Sequence, residues 1–254
     1  MLKIKEFQMK KLMSVCLLFF FSLLSVNANE TVRLSVGEWA PYTSTDAKKG
    51  QLAQNIVSAA FKVENIDVVY EFNGWEKTYQ DAIDAKSEGT VPWSRTKERL
   101  NDFYYSKMPI AKSKTVFFSL KKSSFDWSNY DDLKKYKIGE VKGFKSAKFL
   151  IDKGLNVSLV ETETQNMKKL LSGEIDITTS SYLVGHNLIK SVFSAQEAAM
   201  FVSHDKEVYP ETGFHYIISK KHPRGQELMK AFDRGFLKLI KSGEFVKIMK
   251  SSMK

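Results

Sequence analysis

The segment Trp93-Ser94-Arg95-Thr96-Lys97-Glu98-Arg99 gathers residue types able to hold an anion within a few positions. Arg99 offers a planar fork of donors that can make two parallel charge-assisted bonds to a carboxylate. Arg95 can add a second positive group, and Ser94 and Thr96 can add hydroxyls and turn amides. The plain alternatives are a solvated helix arginine paired with Glu98 or Asp102, and Ser and Thr acting only as local caps. Lys145 and Ser146 follow Gly143 at a predicted helix start, where uncovered amides attract anions. Lys145 either brings positive charge to that place or points into water. Trp39, Tyr42, Trp75 and Trp93 supply flat faces for stacking or cation–π contact, or else for simple core packing. The histidines at 186, 204, 215 and 222 show no metal-ligand spacing, and no Gly-rich phosphate loop or nucleophile elbow occurs. No metal, cofactor or catalytic residue is therefore expected. Glu38, Glu98 and Glu140 could act as acids or bases, but none sits in a distinctive catalytic motif.

Those residues must be positioned by alternating strands and helices. VRLSV (32–36) reads as a buried strand, and LAQNIVSAAFKVEN (52–65) places Leu52, Ile56, Ala59, Ala60 and Val63 on one helical stripe. DVVYEF (67–72) is a strand, WEKTYQDAIDAKSE (75–88) an amphipathic helix, TVPWS (90–94) a short strand, and TKERLNDF (96–103) opens a helical turn. This βαβαβ series argues a parallel, doubly wound sheet. The middle repeats the theme. KTVFFSL, KIGEV, NVSLVET and IDITTSS read as strands, interleaved with a short helix in DWSNYDDLKKY and helices in AKFLIDKG, TQNMKKLLSGE and YLVGHNLIKSVF. GFHYIIS is a last strand before a helical region from Arg224 to Met253, divided at Gly243. Two α/β units without a low-complexity linker suggest two lobes joined by strands.

The first 28 residues read as an export signal: Lys10 and Lys11, an apolar run from Leu12 to Val26, and a small-x-small ending at Ala28. The run, about 15 residues, is shorter than the roughly 20 that span a bilayer. Met9 is an alternative start. The expected destination is the periplasm, with cleavage near Ala28. The leader holds four lysines and one glutamate, a net of +3, so +7 of the chain's +10 remains on the mature part. That charge is scattered, which suits a soluble monomer and excludes the concentrated patch that nucleic-acid binding needs. The one cysteine, Cys16, lies in the leader, so the mature chain forms no disulfide. About 226 mature residues can bury a proper core as one large or two small domains.

Five blocks in order resemble the family 3 extracellular solute-binding proteins that serve polar amino-acid ABC transporters. They are GEWAPY (37–42), WSRTKERLNDFYYSKMPI (93–110), GEVKGFKSAKFL (139–150), LLSGEIDITTSS (170–181) and FDRGFLKLIKSGEFVKIMKS (232–251). The likeness covers residues 31–254. It implies the type II periplasmic binding fold: two α/β lobes, each a sheet flanked by helices, with two crossover strands as hinge. The first lobe would be 29–112 with 210–254, the second 113–209, and the crossings near Lys112 to Lys114 and Val208 to Thr212. A cleft that closes on a small ligand follows from that resemblance. It also implies roles. Arg99 would grip an α-carboxylate, with Ser94, Thr96 and the turn bearing Lys145 and Ser146 beside it. Trp39 would stack on the ligand, with Tyr42 and Trp75 in neighbouring segments. Trp93 and Pro92 are bulky where the family is small.

One departure matters. Amino-acid binders of this family carry an acid about five positions after the Asp of Gly-x-x-Asp, which holds the ligand's ammonium. From Asp176 that count reaches Ser181, flanked by Ser180 and Tyr182. An ammonium closed in a cleft without a counter-charge is costly, so a carboxylate lacking an amine fits the remaining groups better. The expected function is a periplasmic binding protein delivering a small polar, carboxylate-bearing solute to an inner-membrane ABC permease or a sensor. The alternatives are an orphan receptor lobe for signalling and a dehydratase-like enzyme on the same fold.

Overall fold

The computed structural model describes residues 29–210 and 213–252. The expected leader, its cleavage point and Cys16 lie outside the described residues. From the start, β1 (Glu30–Val36) buries Val32, Leu34 and Val36, and α1 (Leu52–Lys62) covers it with Leu52, Ile56, Val57, Ala60 and Phe61. There follow β2 (Ile66–Phe72), α2 (Trp75–Ile83), β3 (Thr90–Ser94), the single turn α3 (Arg99–Asp102) and β4 (Phe103–Tyr105). The chain then builds β5 (Thr115–Leu120), β6 (Ile138–Val141), α4 (Lys145–Asp152), β7 (Val157–Val160) and α5 (Glu163–Ser172). Next come β8 (Ile177–Ser181), α6 (Tyr182–Val192), the turn α7 (Ala195–Ala198) and β9 (Phe201–Glu207). It closes with β10 (Phe214–Ser219), α8 (Gly225–Lys241) and α9 (Glu244–Ser252). The expected helix in DWSNYDDLKKY is a 3₁₀ segment, Tyr130–Lys135, started by a capping box on Asn129.

The strands form two sheets, ordered β2-β1-β3-β10-β4 and β7-β6-β8-β5-β9. Neither is purely parallel. β1 and β3 run parallel, as do β6 with β7 and β8, but β10 is antiparallel to β3 and β4, and β5 is antiparallel to β8 and β9. The expected parallel sheet is thus corrected to two mixed sheets. The reversed strand of each sheet, β5 in one and β10 in the other, is the first strand laid down after a crossing. The two crossings lie side by side. The amide of Phe214 donates to the carbonyl of Ala111 at 2.8 Å, and that of Val208 to Thr115 at 2.8 Å.

Each sheet has its own core. On the first, Val32, Leu34, Phe61, Tyr216, Phe232 and Phe236 are all essentially inaccessible. α8 lies so close to α1 that a Cβ on Gly235 would sit 2.0 Å from the Ala60 carbonyl oxygen. Gly243, at φ +79°, divides α8 from α9 as its position suggests. The second sheet buries Phe117, Leu133 and Ile177 on one face and Phe118, Met167 and Leu170 on the other. Among the described residues no helix is long and apolar enough to cross a membrane, and no group of acidic, His or Cys side chains could hold a metal.

Candidate functional site

The ends of β3 and β6 face each other across the seam between the two sheets, and Arg99 joins them. β3 stops at Ser94, and the following turn is fixed where the Arg99 amide donates to Thr96 Oγ1 at 3.3 Å. The side chain then folds back. Nη1 donates to the Ser94 carbonyl at 3.1 Å, and Nη2 reaches the Gly143 carbonyl of the second lobe at 3.2 Å. The guanidinium lies 4.6 Å from the centre of the Trp93 ring and 5.7 Å from that of Tyr79, a cation on two aromatic faces. Trp93 is itself buried, its Nε1 donating to Thr90 Oγ1, so its bulk forms the floor under Arg99. Arg95 stands over Tyr105 instead, at 5.2 Å, and burial holds the Tyr105 hydroxyl up at about 12.

The first loop brings in Trp39. Its ring stacks on Tyr42 at 5.0 Å, meets Phe214 edge-on at 5.0 Å and Trp75 edge-on at 6.4 Å. Trp75 continues the file onto Trp93 at 5.5 Å. Gly37 makes this possible, because a Cβ there would lie 2.4 Å from Trp75 Cε2. Tyr42 is 0% exposed and belongs to the first core. It packs against Trp39 and Phe214. Trp39 and Trp75 keep part of their surface open.

On the second lobe the hydroxyls turn inward. Ser146 Oγ donates to Glu140 Oε2 at 2.8 Å and Thr179 Oγ1 to Glu140 Oε1 at 2.7 Å. Only the backbone of Ser146, in the first turn of α4, is left for an anion. The cap residue of α4, Phe144, supplies no side-chain bond there. Burial pushes the Glu140 carboxyl up to about 7 against those two hydrogen bonds, and the nearby Glu163 adds to the rise. Lys145 does not point into water: its Nζ lies 4.3 Å from the centre of the Tyr209 ring, beside the second crossing. Ser181 also turns to the crossings, donating to Ser113 Oγ at 2.7 Å, and is 5% exposed.

The residue that sequence reasoning misses is Glu163. Its Oε2 accepts from Trp39 Nε1 of the first lobe at 2.8 Å, and its Oε1 accepts from Ser180 Oγ at 2.5 Å. Burial raises its carboxyl above the ordinary range, against the pull of both bonds. A signal is present: Thr162 and Gln165 form a capping box, which starts α5 at Glu163 and so sets that side chain at the lobe's edge. The other acids weighed from the sequence are engaged elsewhere or open to solvent. Glu38 accepts from the amide and hydroxyl of Thr45, both at 2.6 Å, and Glu98 sits at the surface 3.8 Å from Lys148 of the second lobe.

No protein-family model matches the sequence, and no curated protein matches it. Solved structures match it over most of its length. A histidine kinase sensor domain with similarity to periplasmic binding proteins superposes with a TM-score of 0.78, 16% identity, 89% of this chain and 97% of that one. The fold is that of the periplasmic binding proteins. An ancestral arginine-binding protein bound to arginine matches with a TM-score of 0.75, 16% identity, 89% of this chain and 100% of that one. An arginine transport-system periplasmic binding protein from Legionella pneumophila gives 0.74, 15%, 88% and 99%. These neighbours include the kind of protein that the five sequence blocks resemble, and the two-lobed fold expected from them is the one observed.

Proposed function

We propose that this chain is a periplasmic solute-binding protein that closes its lobes on a small polar ligand bearing a carboxylate and hands it to an inner-membrane permease. The observation that carries the reading is Arg99, whose two terminal nitrogens reach carbonyls of different lobes. A carboxylate at that place would bond the same fork through charge-assisted bonds, roughly twice as strong as those to a neutral carbonyl. It would also hold the lobes together, because the first-turn amides of α4 flank the same spot. Ser94, Thr96, Trp39, Trp75 and Trp93 would line the first wall, and Ser146 and Lys145 would flank the second. The hinge would be the two crossings near Lys112 to Lys114 and Val208 to Thr212, with lobes of 29–112 plus 210–254 and of 113–209. The leader would be removed near Ala28 on export, leaving a monomer. The neighbours described as arginine-binding and transport-system proteins support this reading.

The neighbour described as a kinase sensor domain favours a second reading, in which the same closure signals to a membrane partner without transport. A thermal-shift screen of carboxylates, amino acids and amines tests the common part. Binding only the closed form raises stability by about 2.7 kcal/mol at a hundredfold excess over Kd. At least one compound is expected to raise the midpoint and to shrink the particle in small-angle scattering. A screen without a riser would sink both readings.

A further inference from the structure

The second crossing borders a hollow that lies apart from the seam. Trp127 and Tyr130 on one side and Lys206, Val208, Tyr209 and Pro210 on the other enclose about 470 Å³, the size of a small-molecule site. Its aromatic members form a file. Trp127, 4% exposed, packs edge-on against Phe117 of β5 at 5.4 Å. Tyr130 leans on Trp127 at 5.5 Å and donates its hydroxyl to the Val208 carbonyl at 2.7 Å, which ties the hollow to the crossing. The file continues through Phe149 to Tyr209, at 5.5 and 5.0 Å. We propose that this hollow is a second ligand site, separate from the seam, for a small flat molecule that bears a carboxylate.

Charge points to the carboxylate. Lys206 lines the hollow, its Nζ 4.3 Å from the centre of the Trp127 ring and bonded to the Ser128 carbonyl, a neutral acceptor. Lys153 stands over the Tyr130 ring at 5.0 Å, and Lys145 over that of Tyr209 at 4.3 Å. Glu207 is the one acid in the lining. Nearby, Asp126 meets His204 at 3.0 Å, and Asp132 accepts from the amides of Ser128 and Asn129. Three cations on the rings of one file therefore outweigh the acid beside them, and a carboxylate would bond Lys206 more strongly than a carbonyl does. An unmade bond points the same way. Trp127 Nε1 is buried and has no acceptor among the described residues. A buried indole N–H ordinarily has one, and its lack costs free energy that a bound oxygen relieves. The rings set the rest of the shape, because a flat apolar body stacks on them and a compact anion leaves them uncovered. Through the bond between Tyr130 and Val208, an occupant would also stiffen the crossing on which the lobes are proposed to turn.

The test is titration calorimetry on the mature protein with benzoate, indole-3-acetate, benzamide and acetate, for wild type, Lys206→Met and Arg99→Ala. Lys206 is exposed and Met keeps its stem, and thermal midpoints without ligand verify that each variant folds. Wild type is expected to bind at least one of the two aromatic acids saturably, and to bind neutral benzamide and ringless acetate at least about tenfold more weakly. Lys206→Met is expected to lose about tenfold for that acid, whereas Arg99→Ala keeps it. In NMR the same acid should shift the Trp127 indole proton and the Val208 amide and leave the Trp39 indole proton in place. Binding that survives Lys206→Met unchanged, or that is lost in Arg99→Ala with the shift at Trp39, would place the acid elsewhere and overturn the site. Failure of wild type to bind either aromatic acid would overturn it as well, and would leave the solute-binding reading of the seam intact.

Discussion

The first lobe meets the seam with aromatic rings and a cation, Trp39, Trp75, Trp93 and Arg99, whereas the second meets it with acids and hydroxyls, Glu163 and Ser180, backed by Glu140, Ser146 and Thr179. The rings need no partner and fix a surface by packing alone. The acids need one: buried carboxyls hold their protons until a donor or a cation offsets the lost water. Where the walls touch, each lends the other what it lacks. Arg99 borrows the Gly143 carbonyl, and Glu163 borrows the Trp39 indole N–H. The contact between the two walls therefore satisfies groups that neither wall satisfies by itself, and a ligand at the seam would meet the same donors and acceptors.

The comparison breaks most visibly at Arg99. Arg99→Ala should lower affinity for a carboxylate ligand by about thirtyfold or more, since it removes a desolvated charge-assisted pair. Arg99→Lys should recover only part of it, because an ammonium cannot bridge two acceptors as a planar fork does. Calorimetry on the two variants measures this; equal affinity in wild type and Arg99→Ala would move the anion site elsewhere. The second wall is tested by pH. The folded Glu140 carboxyl, at about 7 against an ordinary 4.5, holds its proton more tightly than the unfolded one. Wild-type stability should then fall as pH rises from about 4.5 to about 7 and level off above. Glu140→Gln should remove that fall and be the more stable protein at pH 8. The gain is up to about 3 kcal/mol, because each pH step between the unfolded and folded values is worth about 1.4 kcal/mol. Urea denaturation at pH 5 and pH 8 reads both arms, and a wild-type stability that rises over that range would refute the assignment.

Smaller effects sharpen the picture. Trp39→Phe keeps an aromatic face but removes the N–H on Glu163 together with part of the indole, so ligand affinity should fall about tenfold or more, the worth of one bond to a charged group plus lost packing. Ser181→Ala should change affinity by less than about threefold, because that hydroxyl serves Ser113. A larger loss would show that Ser181 faces the ligand after all. The exposed pairs Lys142–Glu76 and Lys148–Glu98 also span the lobes, at 3.6 and 3.8 Å. Removing either should shift the thermal midpoint barely, since solvent screens exposed pairs and ordering their long side chains offsets the attraction.

Much of the architecture is legible in apolar spacing. The strand TVPWS, the break at Gly243 and the α1 stripe occur where the pattern sets them, except that Val63, expected on that stripe, caps the end of the helix and is 40% exposed. β9 gives no such sign. It is an edge strand with mostly open residues, FVSHDKE, and an edge strand has no apolar face to announce it. Strand direction is hidden too, because hydrophobic alternation does not record whether a neighbour runs parallel or antiparallel. At the site, Arg99 is legible from its motif, while Glu163 is not, because its meaning depends on Trp39, 124 positions away. The helix begins one residue earlier than its apolar pattern, and that residue is the acid.

The position of β10 sets an order in time. The first sheet has β10, Phe214–Ser219, between β3 and β4, so that sheet is incomplete until nearly the whole chain has emerged. The second sheet uses strands β5 to β9, contiguous in the chain, and its contacts close shorter loops. Shorter loops cost less entropy to close, so the second lobe is expected to fold first and to wait for roughly the last forty residues to lock the other. A chain whose opening segment cannot finish its own sheet stays threadable from that end, which suits the export proposed above. Pulse-labelled hydrogen exchange during refolding would see the order directly, with protection at Phe117 and Ile177 ahead of Leu34 and Tyr216.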